Sequence, residues 1–255
     1  METLLSIKNL TVAAGDKVLV NDVSFDVPHG KIVAIAGGSG SGKTTIGLSI
    51  LRLISPGLCI RKGSIIFEGR NLLELSAQEM RQCRGARIGM VFQEPLSAFD
   101  PLFTIGKQMD EVLIAHTRLS GQQRRQKILQ TLEEVELPDP KRAYVSYPHQ
   151  LSGGMRQRAM IAQAMVCGPS LIIADEPTSS LDTTTQVKIM EVFERLKVKK
   201  NMSFVLIAHD LGMISQLADE VIICQEGNMV EKGEVREVID SPKHEYTKAL
   251  VGAFQ

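Results

Sequence analysis

Residues 32–44 read IVAIAGGSGSGKT, and they decide the architecture. The run IVAIA carries apolar side chains on both parities, as a strand covered on both faces does. Glycines follow at once, and the next stretch, KTTIGLSILRLI, has helical period and ends at SPG. Strand, Gly-rich loop and helix in that order are the setting that the pattern GxxxxGK[ST] requires. Gly37, Gly38, Ser39, Gly40, Ser41, Gly42, Lys43 and Thr44 match it, with Thr45 next in line. Such a loop curls so that its N–H groups surround phosphates; Lys43 reaches the β and γ phosphates, and the Thr44 hydroxyl ligates Mg²⁺. A chance Gly-rich turn with a stray lysine would lack the strand and the helix. A nucleoside triphosphate, ATP or GTP, with Mg²⁺ follows.

Working outward, LLSIKNLTV and VLVNDVSFDV read as N-terminal strands; VNDVSFDV alternates as a half-buried strand does, and PHG marks a turn. RKGSIIFEGRNLL reads as a strand pair and ARIGMVFQ as another strand. From residue 97 to 165 the texture is helical, in TIGKQMDEVLIAHTRL, GQQRRQKILQTLEEVEL and GMRQRAMIAQAMV. Alternation then resumes: SLIIADE (strand), TTQVKIMEVFERLKVKK (helix), MSFVLIAH (strand), LGMISQLA (helix) and EVIICQEGNMV (two short strands). The expectation is an α/β fold with a P-loop core, a mostly parallel sheet and an N-terminal antiparallel β part. Residues 1–96 and 166–255 form that core and 97–165 an inserted helical subdomain, within one domain spanning 1–255.

Composition narrows the function. With 29 Lys plus Arg against 29 Asp plus Glu, there is no basic excess of the kind nucleic-acid binding favours, and at 4% aromatic residues there are few stacking platforms. No nucleic-acid partner is expected. The four cysteines, Cys59, Cys83, Cys167 and Cys224, show no CxxC spacing and read as reduced thiols. The start, METLLSIKNLTVAAG, lacks the pattern of a signal peptide, and the longest apolar runs are strand-sized, so no spanning segment is expected.

SLIIADEPTSSLD supplies the second half of a nucleotide site. Asp175 and Glu176 fall at a strand's C-terminal end, where open α/β sheets bind ligands. Asp175 is placed to hold the Mg²⁺ shell and Glu176 to orient the attacking water. Gln93, ending RIGMVFQ, is a candidate for both Mg²⁺ and water, and His209, ending MSFVLIAH, for the γ-phosphate. Asp182 sits where a loop crosses to a partner or caps a turn. LSGGM, residues 151–155, puts Ser152, Gly153 and Gly154 at the mouth of a helix, a second anion-binding start. A plain N-cap explains the serine but not the paired glycines. Two chains arranged head to tail place one nucleotide between the P-loop of one and Ser152-Gly153-Gly154 of the other.

GGSGSGKT, Gln93, LSGGM, LIIADEPTSSLD and His209, in that order, closely resemble the ATP-binding-cassette ATPases over nearly the whole chain. The resemblance implies ATP as nucleotide and hydrolysis in a dimer of cassettes. It also implies two separate membrane-spanning permease subunits, reached through the helical block and the Gln loop. YPHQLSGGMRQRAMIAQAM, FQEPLSAFDP and SPKHEYTKALV are similar to the dipeptide, oligopeptide and nickel importer branch; SAFDP is like the nickel-type form. This implies a peripheral subunit on the cytoplasmic face of the membrane and an extracytoplasmic solute-binding protein. It implies a second cassette, either a homologous chain or a copy of this one. The cargo is then nickel, a metal chelate, or a di- or oligopeptide. Where many cassettes stack adenine on an aromatic residue, this sequence offers Ala13 and Ala14. The Cys-bearing tail of some peptide-importer cassettes is missing, so no iron–sulfur cluster is expected; His244 and the other four histidines show no ligand spacing, so no nickel site is expected on this chain. The alternative is a soluble cassette ATPase acting on nucleic acid or the ribosome, which usually carries coiled-coil or zinc-binding insertions not seen here.

Overall fold

The computed structural model describes residues 2–253. In chain order its elements are β1 (Thr3–Ala14), β2 (Lys17–Pro28), β3 (Ile32–Ala36), α1 (Lys43–Ile50), β4 (Leu58–Phe67), β5 (Arg70–Asn71), α2 (Ala77–Cys83) and β6 (Ile88–Val91). A helical run follows: α3 (Pro95–Ala98), α4 (Ile105–His116), α5 (Gly121–Glu134), α6 (Pro140–Val145) and α7 (Gly153–Met165). Then come β7 (Leu171–Asp175), α8 (Thr183–Lys200), β8 (Ser203–Ile207), α9 (Leu211–Leu217), β9 (Glu220–Gln225), β10 (Asn228–Glu234), α10 (Val235–Asp240) and α11 (Glu245–Gly252). The chain divides into two compact units, Met1–Arg81 with Lys197–Gln255, and Gln82–Leu196.

In the first unit the strands run in the order β5-β4-β1-β2-β10-β9-β3-β8. β1 pairs antiparallel with β2 and β4, which makes the N-terminal antiparallel part. β3 pairs parallel with β8 and β9. β3 and β8 are buried at every residue, which is why their sequences, Ser203 apart, are continuous apolar runs rather than alternating ones. The two halves meet at β2 and β10, whose ladder pairs only Asn21 with Asn228. The Asn21 side-chain amide donates to Asn228 Oδ1 (2.9 Å), and the Asn21 backbone N–H to the Gly227 carbonyl (2.8 Å). A side-chain amide thus supplements the backbone pairing at that seam.

In the second unit β6 and β7 pair parallel in a register that sets Val91 opposite Ala174. Local signals start each helix between them. Thr104 accepts from the Lys107 N–H ahead of α4, and Ser120 and Gln123 form a reciprocal capping box at α5. Asp139 caps α6, with Pro140 in its first turn, and Ser152 caps α7. Ile105, Met109 and Leu113, four residues apart along α4, are fully buried, as are Ile128 and Leu132 of α5. Glu136 joins two further elements: its carboxylate meets Arg158 of α7 (3.3 Å) and Arg195 of α8 (2.5 Å).

The fold class expected from the sequence is the one observed. The first helix, however, ends at Ile50 rather than running on through LRLI, because Arg52 takes a left-handed φ of +52°. Its guanidinium then donates to the Leu72 and Leu75 carbonyls (3.3 and 2.6 Å). Periodicity in the sequence does not mark α2, α3, α6, α10 and α11. Each is short, and helices of that length are held by caps and packing rather than by their own periodicity. No helix among the described residues is long and apolar enough to cross a membrane.

Asp219 ties the first unit together. It accepts from the Ile32 N–H (2.9 Å), Lys31 (2.9 Å) and Lys197 (2.7 Å), so one carboxylate holds the start of β3 to the end of α8. Burial pushes its pKa up, but these donors outweigh burial and hold it below the ordinary 3.8. A depressed carboxylate contributes stability that is complete above the unfolded value and is lost as pH falls through the folded one. Asp219→Asn is expected to destabilise the protein by about 1–3 kcal/mol near neutrality. In denaturant unfolding followed against pH, its deficit relative to the parent should shrink as pH drops below 3.8.

Candidate nucleotide and catalytic site

The loop Gly37–Gly42 joins β3 to α1, with Lys43, Thr44 and Thr45 in the first helical turn. Lys43 is only 6% exposed. Its ammonium donates to the Gly37 and Gly38 carbonyls (2.8 Å each) and reaches Ser41 Oγ at 3.4 Å. A buried cation must be compensated, and here the loop's own carbonyls do so, curling the chain around the lysine head. The loop leads into the N-terminus of α1, whose N–H groups and positive dipole end attract anions. Glycine is obligatory at position 37. Its φ is +149°, and a Cβ there would lie 2.1 Å from the Cys224 carbonyl oxygen of β9. The Cys224 thiol is itself pushed up to about 12 by burial, against the pull of Lys43, so it stands beside the loop as a neutral group.

β8 runs parallel to β3, and the Ala208 N–H donates to the Ile35 carbonyl (3.2 Å). His209, the next residue, is exposed and leaves the sheet one strand over from the loop, on the same C-terminal edge. Within the first unit the structure therefore brings His209 to the edge that carries Lys43.

In the second unit the β6–β7 register does the equivalent. Because Val91 faces Ala174, Gln93 and Glu176, each two residues further on, come level. Gln93 Nε2 donates to Glu176 Oε2 at 3.0 Å. Asp175, the last residue of β7, is 5% exposed. Glu176 adopts φ +44°, a left-handed conformation uncommon for a non-glycine residue. Its carbonyl accepts both the N–H and the hydroxyl of Ser179 (3.3 and 3.2 Å), which fixes that turn. Strain of this kind clusters where side-chain aim matters.

Ser152 accepts the Met155 N–H (3.3 Å) as the N-cap of α7. Gly154 is needed for a reason the sequence does not carry: a Cβ there would lie 2.7 Å from the Thr185 methyl of α8. Beside Gly153 the nearest atom to such a Cβ is a Leu181 methyl at 3.8 Å, ordinary contact. Asp182 accepts the N–H and the hydroxyl of Thr185 (3.0 and 2.7 Å), and those bonds lower its pKa. It caps α8 and at the same time holds the threonine against Gly154.

Sequence reasoning missed Tyr246. Its phenol oxygen accepts the Gly38 N–H at 2.8 Å from 208 residues further along the chain, a separation no local pattern bridges.

A Gly-rich loop opening a helix, a buried lysine, and carboxylates at parallel strand ends define a P-loop nucleotide hydrolase. The ABC transporter family profile matches residues 20–179, and the chain belongs to that family. It is 43% identical over 258 residues to the dipeptide transport ATP-binding protein DppD of Bacillus subtilis (strain 168), covering 99% of this chain and 77% of that one. It is 41% identical to the oligopeptide transport ATP-binding protein OppD of Lactococcus lactis subsp. cremoris (strain SK11), covering 98% and 75%. Among solved structures, a dimeric ATP-binding cassette in a post-hydrolysis state bound to ADP and Pi superposes with a TM-score of 0.80 at 30% identity, covering 91% of this chain and 99% of that one. The protein is thus an ATP-hydrolysing transport cassette.

Gly37→Ala forces a side chain into the Cys224 carbonyl. We expect a loss of about 1–3 kcal/mol in denaturant unfolding without nucleotide, together with loss of ATP binding in calorimetry.

Proposed function

We propose that this chain is the peripheral ATPase subunit of a peptide importer. It would work with two membrane-spanning permease subunits, a second cassette and an extracytoplasmic binding protein, at the cytoplasmic face of the membrane. The relatives named above are peptide transporters, which favours a di- or oligopeptide over nickel or a metal chelate as cargo. In this reading residues 97–165 act as the helical subdomain that faces the permeases, and 1–96 with 166–255 as the ATPase core.

The hydrogen bond between Gln93 and Glu176 carries the catalytic assignment. Gln93 orients the Glu176 carboxylate, which polarises the attacking water and takes its proton. His209 donates toward the γ-phosphate. Lys43 exchanges the loop carbonyls for phosphate oxygens, the N–H groups from Ser39 to Thr45 cradle the rest, and Gly37 and Gly38 give the loop its shape. The Ser152 hydroxyl accepts the Met155 N–H, so its own proton remains to donate, with the Gly153 and Gly154 N–H groups, to a nucleotide held by a partner cassette. In this reading the Thr44 hydroxyl, the Asp175 carboxylate and the Gln93 amide oxygen would serve Mg²⁺, each being a hard oxygen donor of the kind that ion takes. Bound there with ATP, the ion would offset charge on the β and γ phosphates.

Glu176→Gln should keep ATP binding and lose turnover by about 10²–10⁴ in phosphate-release assays; normal turnover would remove Glu176 from the role. For the partners, the tagged chain should co-purify from detergent-solubilised native membranes with two polytopic proteins and a second cassette. Only soluble partners, or bound nucleic acid, would instead favour the ribosome or nucleic-acid alternative.

A further inference from the structure

The C-terminal stretch SPKHEYTKALV enters no step above, yet it reaches the phosphate loop. The Gly38 N–H donates to Tyr246 Oη at 2.8 Å, while the carbonyl of the same peptide group, that of Gly37, accepts from Lys43 Nζ at 2.8 Å. In a trans peptide the C=O and N–H point in opposite directions. Tyr246 therefore holds this peptide plane from the side away from Lys43, outside the phosphate cradle rather than in it. Nor is the tyrosine there through loose packing. The Glu231 carboxylate of β10 accepts the Lys243 and His244 N–H groups (2.9 Å each), and His244 Nδ1 accepts the Tyr246 N–H (3.2 Å) to cap α11. The segment is thus tied to the sheet immediately before the residue that touches the loop. A Cβ on Gly38 would lie 3.2 Å from the phenol oxygen, so loop and hydroxyl fit closely.

We propose that Tyr246 is a positioning residue for ATP: its hydroxyl locks the Gly37–Gly38 peptide, so that the loop is already shaped for phosphate before nucleotide arrives. This rests on the reading that the loop around Lys43 binds ATP. Without the hydroxyl that peptide is held on its Lys43 side alone, which is the contact phosphate must replace, and part of the binding energy goes into ordering it. The contact is the same in ground state and transition state, so its loss raises KM and leaves kcat alone.

The test uses the full chain with MgATP, comparing Tyr246→Phe, Gly38→Ala, their combination and Lys43→Ala. Tyr246→Phe should raise the ATP dissociation constant and KM by about 2- to 10-fold, what one neutral hydrogen bond is worth, with kcat unchanged. Gly38→Ala should weaken binding by crowding the hydroxyl, and should cost less when combined with Tyr246→Phe. The proposal is overturned if Tyr246→Phe binds ATP as the parent does, or if it lowers melting and kcat without moving KM. Lys43→Ala separates the two levels. If it abolishes binding while Tyr246→Phe is silent, the brace alone falls; if it binds ATP normally, the loop is not the nucleotide site and both readings fall.

Discussion

The first unit is organised around a near-collision of backbones at the end of β3. The chain must turn there with the Cys224 carbonyl of β9 so close that any side chain at position 37 would sit 2.1 Å from its oxygen. That closeness follows from β3 lying between β8 and β9, paired parallel to both and buried throughout. It also dictates what comes next. A loop pressed against its neighbour folds its carbonyls inward, where Lys43 collects them, and leaves N–H groups for an incoming anion. Packing of the central strands and affinity for phosphate are one constraint met by one set of atoms.

Each unit also carries a charge cluster that its candidate catalytic residues do not share. Asp219 gathers Lys31, Lys197 and the Ile32 N–H; Glu136 gathers Arg158 and Arg195. In both, an acidic side chain bridges elements distant in sequence, and the partly buried charges are matched by several donors rather than one. For Glu136 burial raises the pKa, and the two arginines outweigh it and hold the carboxyl low. Pairs made this way resist loss of a single partner poorly, because the remaining charge stays desolvated. They fix the relative placement of the elements they join more than they add net stability.

Much of this was legible in the sequence because it is local. The strand–loop–helix around Lys43, the fully apolar β7 ending in Asp175, and the Ser152 cap each state their geometry within a dozen residues. The level placement of Gln93 and Glu176 was half legible: both end strands, but the register that joins them is a property of two segments 83 residues apart. The glycine at 154 was read for phosphate, whereas its intrachain cause, the Thr185 methyl, lies on another helix. Tyr246 stands out in the sequence only within a stretch similar to the importer branch, since nothing near it points to Gly38. The short helices α2, α6 and α10 were lost for a related reason: they depend on neighbours that periodicity does not see.

The two glycines of LSGGM therefore answer to different masters. At 154 the position is closed by α8, whatever the protein does with ATP. At 153 only an ordinary contact stands nearby, so the fold leaves that site open to substitution. Drift in a lineage that had given up hydrolysis would be registered at the first glycine and not at the second. Counting both as marks of a working cassette mixes a record of chemistry with a record of helix packing.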